Sequence, residues 1–80
     1  MDNFLNVKTK NGQNIDINVL DIIELNDDKK YILYSLLDTD DIYISILNEK
    51  HNTYNLEDIN NEEEYNNIIN YLYKVNQENI

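Results

Sequence analysis

Residues 11–37 read NGQNIDINVLDIIELNDDKKYILYSLL, and this stretch decides the fold. Apolar and polar residues alternate over residues 15–19, and a period of two is typical of a strand with one buried face. Residues 5–9 alternate in the same way. Between the two segments, Asn11 and Gly12 favour the positive φ angles that both central residues of a type I′ turn require. The sequence therefore predicts a β-hairpin at its beginning.

The rest of the stretch predicts a second hairpin. The alternation is interrupted at residues 20–23, where a β-bulge would rotate the strand and let it continue to Leu25. Residues 26–29 form a polar turn. Residues 31–37 are apolar on both faces, as expected for a strand in the middle of a sheet.

Two further strands follow, separated by polar segments. Residues 38–41 are predicted to form a turn, and residues 42–47 alternate again. Residues 48–52 are predicted to be a loop. Residues 53–56 then fit a short strand at the edge of the sheet.

After residue 56 the period changes to that of a helix. The apolar residues now fall at i, i+3, i+4, i+7 and i+10, which places them on one helix face. These residues are Tyr65, Ile68, Ile69, Leu72 and Val75. Asn60 or Asn61 is a suitable N-cap, Asn61 and Glu64 have the spacing of a capping box, and residues 62–64 place three carboxylates at the positive helix end. We therefore predict an α+β fold, an antiparallel meander of four to five strands with one C-terminal helix packed on one face.

Composition excludes several classes of protein. The 80 residues carry 16 Asp and Glu against 6 Lys and Arg, a formal net charge of −10. Direct binding to nucleic acid or to an anionic membrane needs clustered basic side chains, which this chain lacks. The absence of Cys removes disulfides, thiolate metal sites and cysteine nucleophiles. The mean hydropathy of −0.67 leans towards disorder, but the periodic apolar segments favour a folded chain.

Domain organisation and location follow from the same sequence. No linker or repeat is visible, so residues 1–80 are expected to form a single domain, ordered over about 4–75, with residues 76–80 frayed. The chain shows no signal-peptide pattern and no apolar segment of membrane-spanning length. A cytoplasmic location is the expectation.

The order and spacing of these segments resemble a known family. The double strand at residues 11–37, the segment DIYISILNE at residues 41–49 and the segment LEDINNEEEYNNIINYL at residues 56–72 resemble domain of unknown function 1292, the YrzB-like family of small acidic bacterial proteins. The similarity covers about residues 4–74. Asn stands at many positions where such proteins carry Asp or Glu. The resemblance implies the fold and a bacterial cytosolic setting, and it supplies no reaction.

No group of residues fits a catalytic, cofactor or metal site. A calcium loop starting at Asp38 would need Gly at its sixth position, where Tyr43 stands. The adjacent carboxylates lie in predicted turns or at the helix start, and acid catalysis needs one of them buried. His51 lies in a predicted loop without a nucleophile or further metal ligands. We therefore predict a protein that is not an enzyme and has no cofactor.

The tyrosines point to binding, because Tyr brings a rigid apolar ring with a polar tip to interfaces. Tyr31, Tyr34 and Tyr65 are expected at the core or at its edge, whereas four others are candidates for exposure: Tyr43, Tyr54, Tyr71 and Tyr73. The alternative explanation is that an AT-rich genome uses Tyr as a general filler. The candidate protein-contact patch consists of Asp38, Asp40, Asp41, Tyr43, Glu62, Glu63, Tyr71 and Tyr73.

Two hypotheses for function remain open. The first is a non-enzymatic binding or regulatory module that docks on a basic protein surface. The second is a nucleic-acid mimic that inhibits a DNA- or RNA-handling enzyme, for which the acids of residues 27–28, 38–41 and 62–64 would have to share one face. A homodimer is compatible with both. It would bury Tyr71, Tyr73 or a bare sheet face at Ile32, Tyr34 and Leu36.

Overall fold

The computed structural model describes residues 3–25 and 29–78, with side chains described up to Lys74. The predicted turn at residues 26–29 falls mainly outside this description, as do the side chain of Val75 and the last two residues of the chain. Five strands and one helix follow in chain order: β1 (Phe4–Lys8), β2 (Asn14–Glu24), β3 (Lys30–Leu36), β4 (Ile42–Lys50), β5 (Thr53–Glu57) and α1 (Glu62–Glu78). The predicted α+β meander with a C-terminal helix is confirmed.

The sheet closes on itself into a barrel. Each strand pairs antiparallel with the next, and β5 returns to β1 through a parallel bridge between Lys8 and Asn55. An ion pair between Lys10 Nζ and Asp58 Oδ2, at 3.8 Å, continues the same seam. The expectation that residues 53–56 form an edge strand is therefore wrong. Twisted, staggered strands bring the first and last strands of a meander together, and closure removes most of the exposed edge.

The predicted β-bulge lies in β2. The pairing of β2 with β3 passes from Val19 opposite Tyr34 to Asp21 opposite Leu33, so Leu20 is the extra residue. Before the bulge, odd-numbered residues of β2 face the barrel interior. After it, Ile23 faces outward and is 2% exposed beneath the helix. The bulge thus lets one strand supply both cores.

Strand β3 is central, as predicted, and it divides its side chains between two cores. Ile32, Tyr34 and Leu36 point into the barrel. There the core cluster is completed by apolar residues from each of the other four strands. Those residues are Leu5, Val7, Ile15, Ile17, Val19, Leu47, Tyr54 and Leu56. The expectation of a bare sheet face at Ile32, Tyr34 and Leu36 is wrong, because barrel closure covers these side chains.

The second core lies between the outer face of the sheet and α1. Tyr31, Ile23 and Ile46 form its sheet side, and the fully buried Ile68 is its helix side. Tyr65 and Ile69 belong to the predicted apolar face, yet they are 45% and 38% exposed. The prediction that Tyr65 is a core residue is wrong, because the buried stripe is centred on Ile68 and is narrower than the apolar pattern.

Two turns differ from the predictions. At the first hairpin only Gly12 has a positive φ, 84°, and the Gly12 N–H donates to the Thr9 carbonyl. This is a turn followed by one left-handed residue rather than the predicted type I′ turn. Two consecutive positive φ angles occur instead at His51 and Asn52, 52° and 64°. Strand β4 therefore runs to Lys50, and the predicted loop of residues 48–52 shortens to a two-residue turn.

Candidate functional site

The N-terminus of α1 is fixed by a side-chain cap. The Glu64 N–H donates to Asn61 Oδ1 at 3.1 Å, which confirms Asn61 as the N-cap. The predicted capping box is formed only in this direction, because the Glu64 carboxylate binds other groups. Glu62 and Glu63 occupy the same first turn and are exposed.

Glu64 joins the helix start to the sheet. Its carboxylate accepts a hydrogen bond from the Tyr31 hydroxyl and lies 3.0 Å from Lys29 Nζ. The Tyr31 hydrogen bond, followed by the contacts with Lys29, lowers the pKa of the Glu64 carboxyl below its ordinary value. An open cleft of about 390 Å³ adjoins these groups, and its lining includes Leu25, Glu63 and Asn67. Each polar group of this network has a partner, so the cleft has the character of a structural junction.

The acidic turn lies at the other end of β3. Asp38, Asp40 and Asp41 follow the last residue of that strand, and all three side chains are exposed. Glu64 contacts Lys29 and Tyr31 at the beginning of the strand. Because β3 has seven residues, the two acidic groups are separated by roughly 20 Å along the strand. The structure does not bring the acids of the candidate patch together.

Tyr43 lies near the acidic turn, and its ring packs on a buried side chain. Its ring stacks on Tyr34, with the centroids 5.6 Å apart, and Tyr43 remains 40% exposed. The Tyr34 hydroxyl hydrogen-bonds to the Ser45 hydroxyl at 3.2 Å inside the barrel. This arrangement holds the exposed ring in one orientation at the surface, which reduces the entropy cost of a contact there.

The remaining tyrosines of the candidate patch lie on the helix. Tyr71 and Tyr73 are 40% and 64% exposed, as predicted. Tyr54 was also predicted to be exposed, and this is wrong, because it packs against the barrel core. With Tyr65 exposed as well, α1 presents three tyrosines to its surroundings.

The mouth of the barrel is an apolar groove that the sequence analysis missed. It has a volume of about 340 Å³ and is lined by Asn3, Phe4, Leu5, Val19, Ile22, Leu47 and Tyr54. The difference in length between the first two strands indicates this groove. The alternating segment that forms β2 continues past the bulge, whereas β1 has only five residues. The end of β2 therefore extends beyond its partner strand.

The described residues offer little for catalysis. No three His, Cys, Asp or Glu side chains among them are grouped closely enough to hold a metal ion. His51 occupies an exposed two-residue turn, where its positive φ has a structural reason. In the described part of the chain, no helix has the length and apolar character needed to cross a bilayer.

The chain is similar to a known protein family over most of its length. Residues 10–75 match the model of a family described as Protein of unknown function (DUF1292). The chain belongs to this family. In this DUF1292 member the match covers strands β2 to β5, the acidic turn and the capped start of the helix. No curated protein and no solved structure matches the chain.

Proposed function

We propose that this DUF1292 member is a non-enzymatic protein-binding or regulatory module that docks on a basic protein surface. The observation that carries the proposal is that its carboxylates are exposed and that few of them are paired with lysine. Among the side chains that the structure describes, every carboxylate except that of Glu64 belongs to an exposed residue. Three ion pairs with lysine occur there, formed by Glu24, Asp58 and Glu64.

An acidic surface of this kind acts mainly on the rate at which the two proteins associate. Unneutralised carboxylates produce a negative potential that draws a basic partner towards the molecule and orients it. The effect weakens as salt screens the charges. Binding is therefore expected to be fast at low ionic strength and to fall steeply as salt is added.

Exposed tyrosines supply contact area beside the charges. Tyr43 lies close in sequence to Asp41, and Tyr71 and Tyr73 lie on the helix that begins with Glu62 and Glu63. Aromatic rings surrounded by charged residues are common at the energetic centres of protein interfaces. The chemistry of the partner is thus basic and partly apolar, and we place the encounter in the bacterial cytoplasm.

No observation favours the alternative of a nucleic-acid mimic. Mimicry needs carboxylates along one face at the spacing of phosphates. The two acidic groups lie at opposite ends of β3. Asp27 and Asp28, which the hypothesis also requires, lie outside the described residues.

The test is affinity capture of partners from a bacterial lysate at low and at high salt. Tagged wild-type protein is compared with a variant that carries Asp38→Asn, Asp40→Asn and Asp41→Asn. The proposal expects a basic protein that is retained at low salt, released by salt and lost with the variant. Added nucleic acid leaves such a partner bound, whereas displacement by nucleic acid would support the mimic.

A matched control variant has the same net charge as the variant of the acidic turn. The variant with Asp16→Asn, Glu49→Gln and Glu57→Gln also removes three exposed carboxylates, at positions outside the candidate patch and outside the three ion pairs. Retention of the partner by this control, together with its loss from the patch variant, assigns the contact to the acidic turn. Absence of any salt-sensitive partner for wild-type protein would overturn the proposed function.

A further inference from the structure

The end of β2 has an edge that no described strand pairs with. The pairing of β1 with β2 ends at Phe4 opposite Asn18, and the Val19 N–H donates to the Asn3 carbonyl at 2.8 Å. Beyond that bond, no strand among the described residues pairs with residues 20–24 on this side. Within residues 3–25 and 29–78, barrel closure therefore leaves one short edge of the sheet unpaired.

One amide of this edge is held by a side chain. The Ile22 N–H donates to the carboxylate of Asp21 at 2.8 Å, so it is directed away from the ladder that joins β2 to β3. Asp21 itself is exposed. The Asp21 carboxylate places a negative charge at this edge. Because it also occupies the Ile22 donor, an added strand would bind here through its own amides, which donate to carbonyls of β2.

An apolar groove lies directly beside this edge. Phe4 and Ile22 line it and are 56% and 47% exposed, so the groove presents adjoining apolar surface to solvent. Tyr54 lines the same groove. The groove is thus apolar, and Asp21 comes directly before its lining residue Ile22 in sequence.

We propose that residues 20–24 of β2 receive an extended Lys- or Arg-containing segment of a partner protein as an added strand. In strand addition, main-chain hydrogen bonds give affinity and pockets for alternate side chains give specificity. Here alternate apolar side chains enter the groove beside Ile22, and the basic side chains between them, on the other face of the sheet, meet Asp21. The inference rests on the proposed function, since it names the position and the geometry at which a basic partner binds.

The charge of the edge argues against a second copy of this chain as the occupant. Two copies paired through β2 would bring Asp21 of each chain into one short edge, within molecules that each carry a net charge of −10. Like charges on adjoining strands destabilise the pairing. A basic segment is instead attracted by this carboxylate. Asp21 therefore favours a basic segment over a second copy of the chain.

The experiment is a ¹⁵N NMR titration of the full chain at low salt with three hexapeptides. One alternates Lys and Val, one alternates Glu and Val, and the third is the Lys–Val peptide with N-methylated backbone amides. The Lys–Val peptide is expected to shift the amides of residues 20–24 and of Tyr54. The other two are expected to bind at least about tenfold more weakly, because one lacks the charge and the other lacks the backbone donors.

Two lysine substitutions in β2 provide a matched comparison. Asp21→Lys is expected to weaken binding of the Lys–Val peptide about tenfold, whereas Asp16→Lys changes the net charge equally and is expected to weaken it less than threefold. Asp21→Asn serves as a milder variant if the lysine disturbs folding, which the dispersion of the amide spectrum reports.

The outcomes separate this inference from the proposed function. Shifts confined to residues 38–41 or to the start of α1 would overturn strand addition and leave a basic partner for the acidic surface. Equal binding of the Glu–Val and Lys–Val peptides at residues 20–24 would overturn the choice of a basic segment. Failure of the Lys–Val peptide to bind anywhere at low salt would overturn strand addition and also count against the proposed function.

Discussion

The Tyr31 hydroxyl donates a hydrogen bond to the Glu64 carboxylate across 33 positions of sequence. Tyr31 is in the central strand β3, and Glu64 is in the first turn of α1. The same carboxylate oxygen accepts from Lys29, and the Glu64 N–H is capped by Asn61. One side chain therefore fixes where the helix begins on the outer face of the barrel, four residues before Ile68 enters the second core.

Tyr31→Phe tests this junction. The ring of Tyr31 is 5% exposed and keeps its packing in the variant, so the loss is confined to the hydroxyl. A hydrogen bond to a partly exposed charged group stabilises by about 1 kcal/mol, and we expect the free energy of unfolding to fall by that amount in urea denaturation. Tyr73→Phe, at a 64% exposed position, is the control and should change it by less than about 0.5 kcal/mol. Equal effects of the two variants would contradict the role of the junction.

The pH dependence of stability provides a second test. The pKa of Glu64 is lowered in the folded state, chiefly by the Tyr31 hydrogen bond, so ionised Glu64 favours folding. This contribution is present above the unfolded-state pKa and is lost as the pH falls through the lower folded-state pKa. The difference in unfolding free energy between wild-type protein and Glu64→Gln should therefore shrink as the pH is lowered below about 5. A difference that stays constant from neutral to acidic pH would show that Glu64 acts without its charge.

The sequence predicts those features that depend on local pattern. The interruption at residues 20–23 indicates the bulge, because one extra residue reverses which side chains face the core. Residues 31–37 predict a central strand, because both faces carry apolar side chains. Asn61 is predictable as an N-cap, because its amide oxygen can reach the N–H of Glu64 three residues on.

The remaining features depend on contacts between distant segments. Barrel closure brings Lys8 to Asn55, and no property of β1 or β5 taken alone specifies that register. Closure also converts a predicted bare face into an interior and, in the described part of the chain, leaves the end of β2 unpaired beside a groove. Tyr65 and Ile69 are exposed because the sheet offers α1 a narrow contact, which the apolar period of the helix does not reveal.

Substitution of Ile68 tests the narrow contact of the helix. Ile68 is fully buried, and truncation of a buried Ile to Ala costs about 2–5 kcal/mol through lost contacts and the cavity that remains. Ile69→Ala makes the same chemical change one residue further along, at a side chain that is 38% exposed. We expect it to cost less than about 1 kcal/mol.

Chemical denaturation of the two alanine variants gives the comparison. If Ile68→Ala leaves too little folded protein to measure, Ile68→Val should still cost about 0.5–1.5 kcal/mol. Similar losses for positions 68 and 69 would mean that both side chains pack on the sheet, contrary to the placement of α1.

The two left-handed turns give the last prediction. Gly12 has a φ of 84°, and a Cβ at this position would meet no atom within 4 Å, so Gly12→Ala is penalised by the backbone conformation alone. We expect a loss of about 1 kcal/mol. Asn52 has a φ of 64° in the second turn, where Gly is the preferred residue, so Asn52→Gly should raise the free energy of unfolding by up to about 1 kcal/mol. Thermal and urea unfolding of the two variants should therefore move in opposite directions, and destabilisation by Asn52→Gly would contradict the assigned turn.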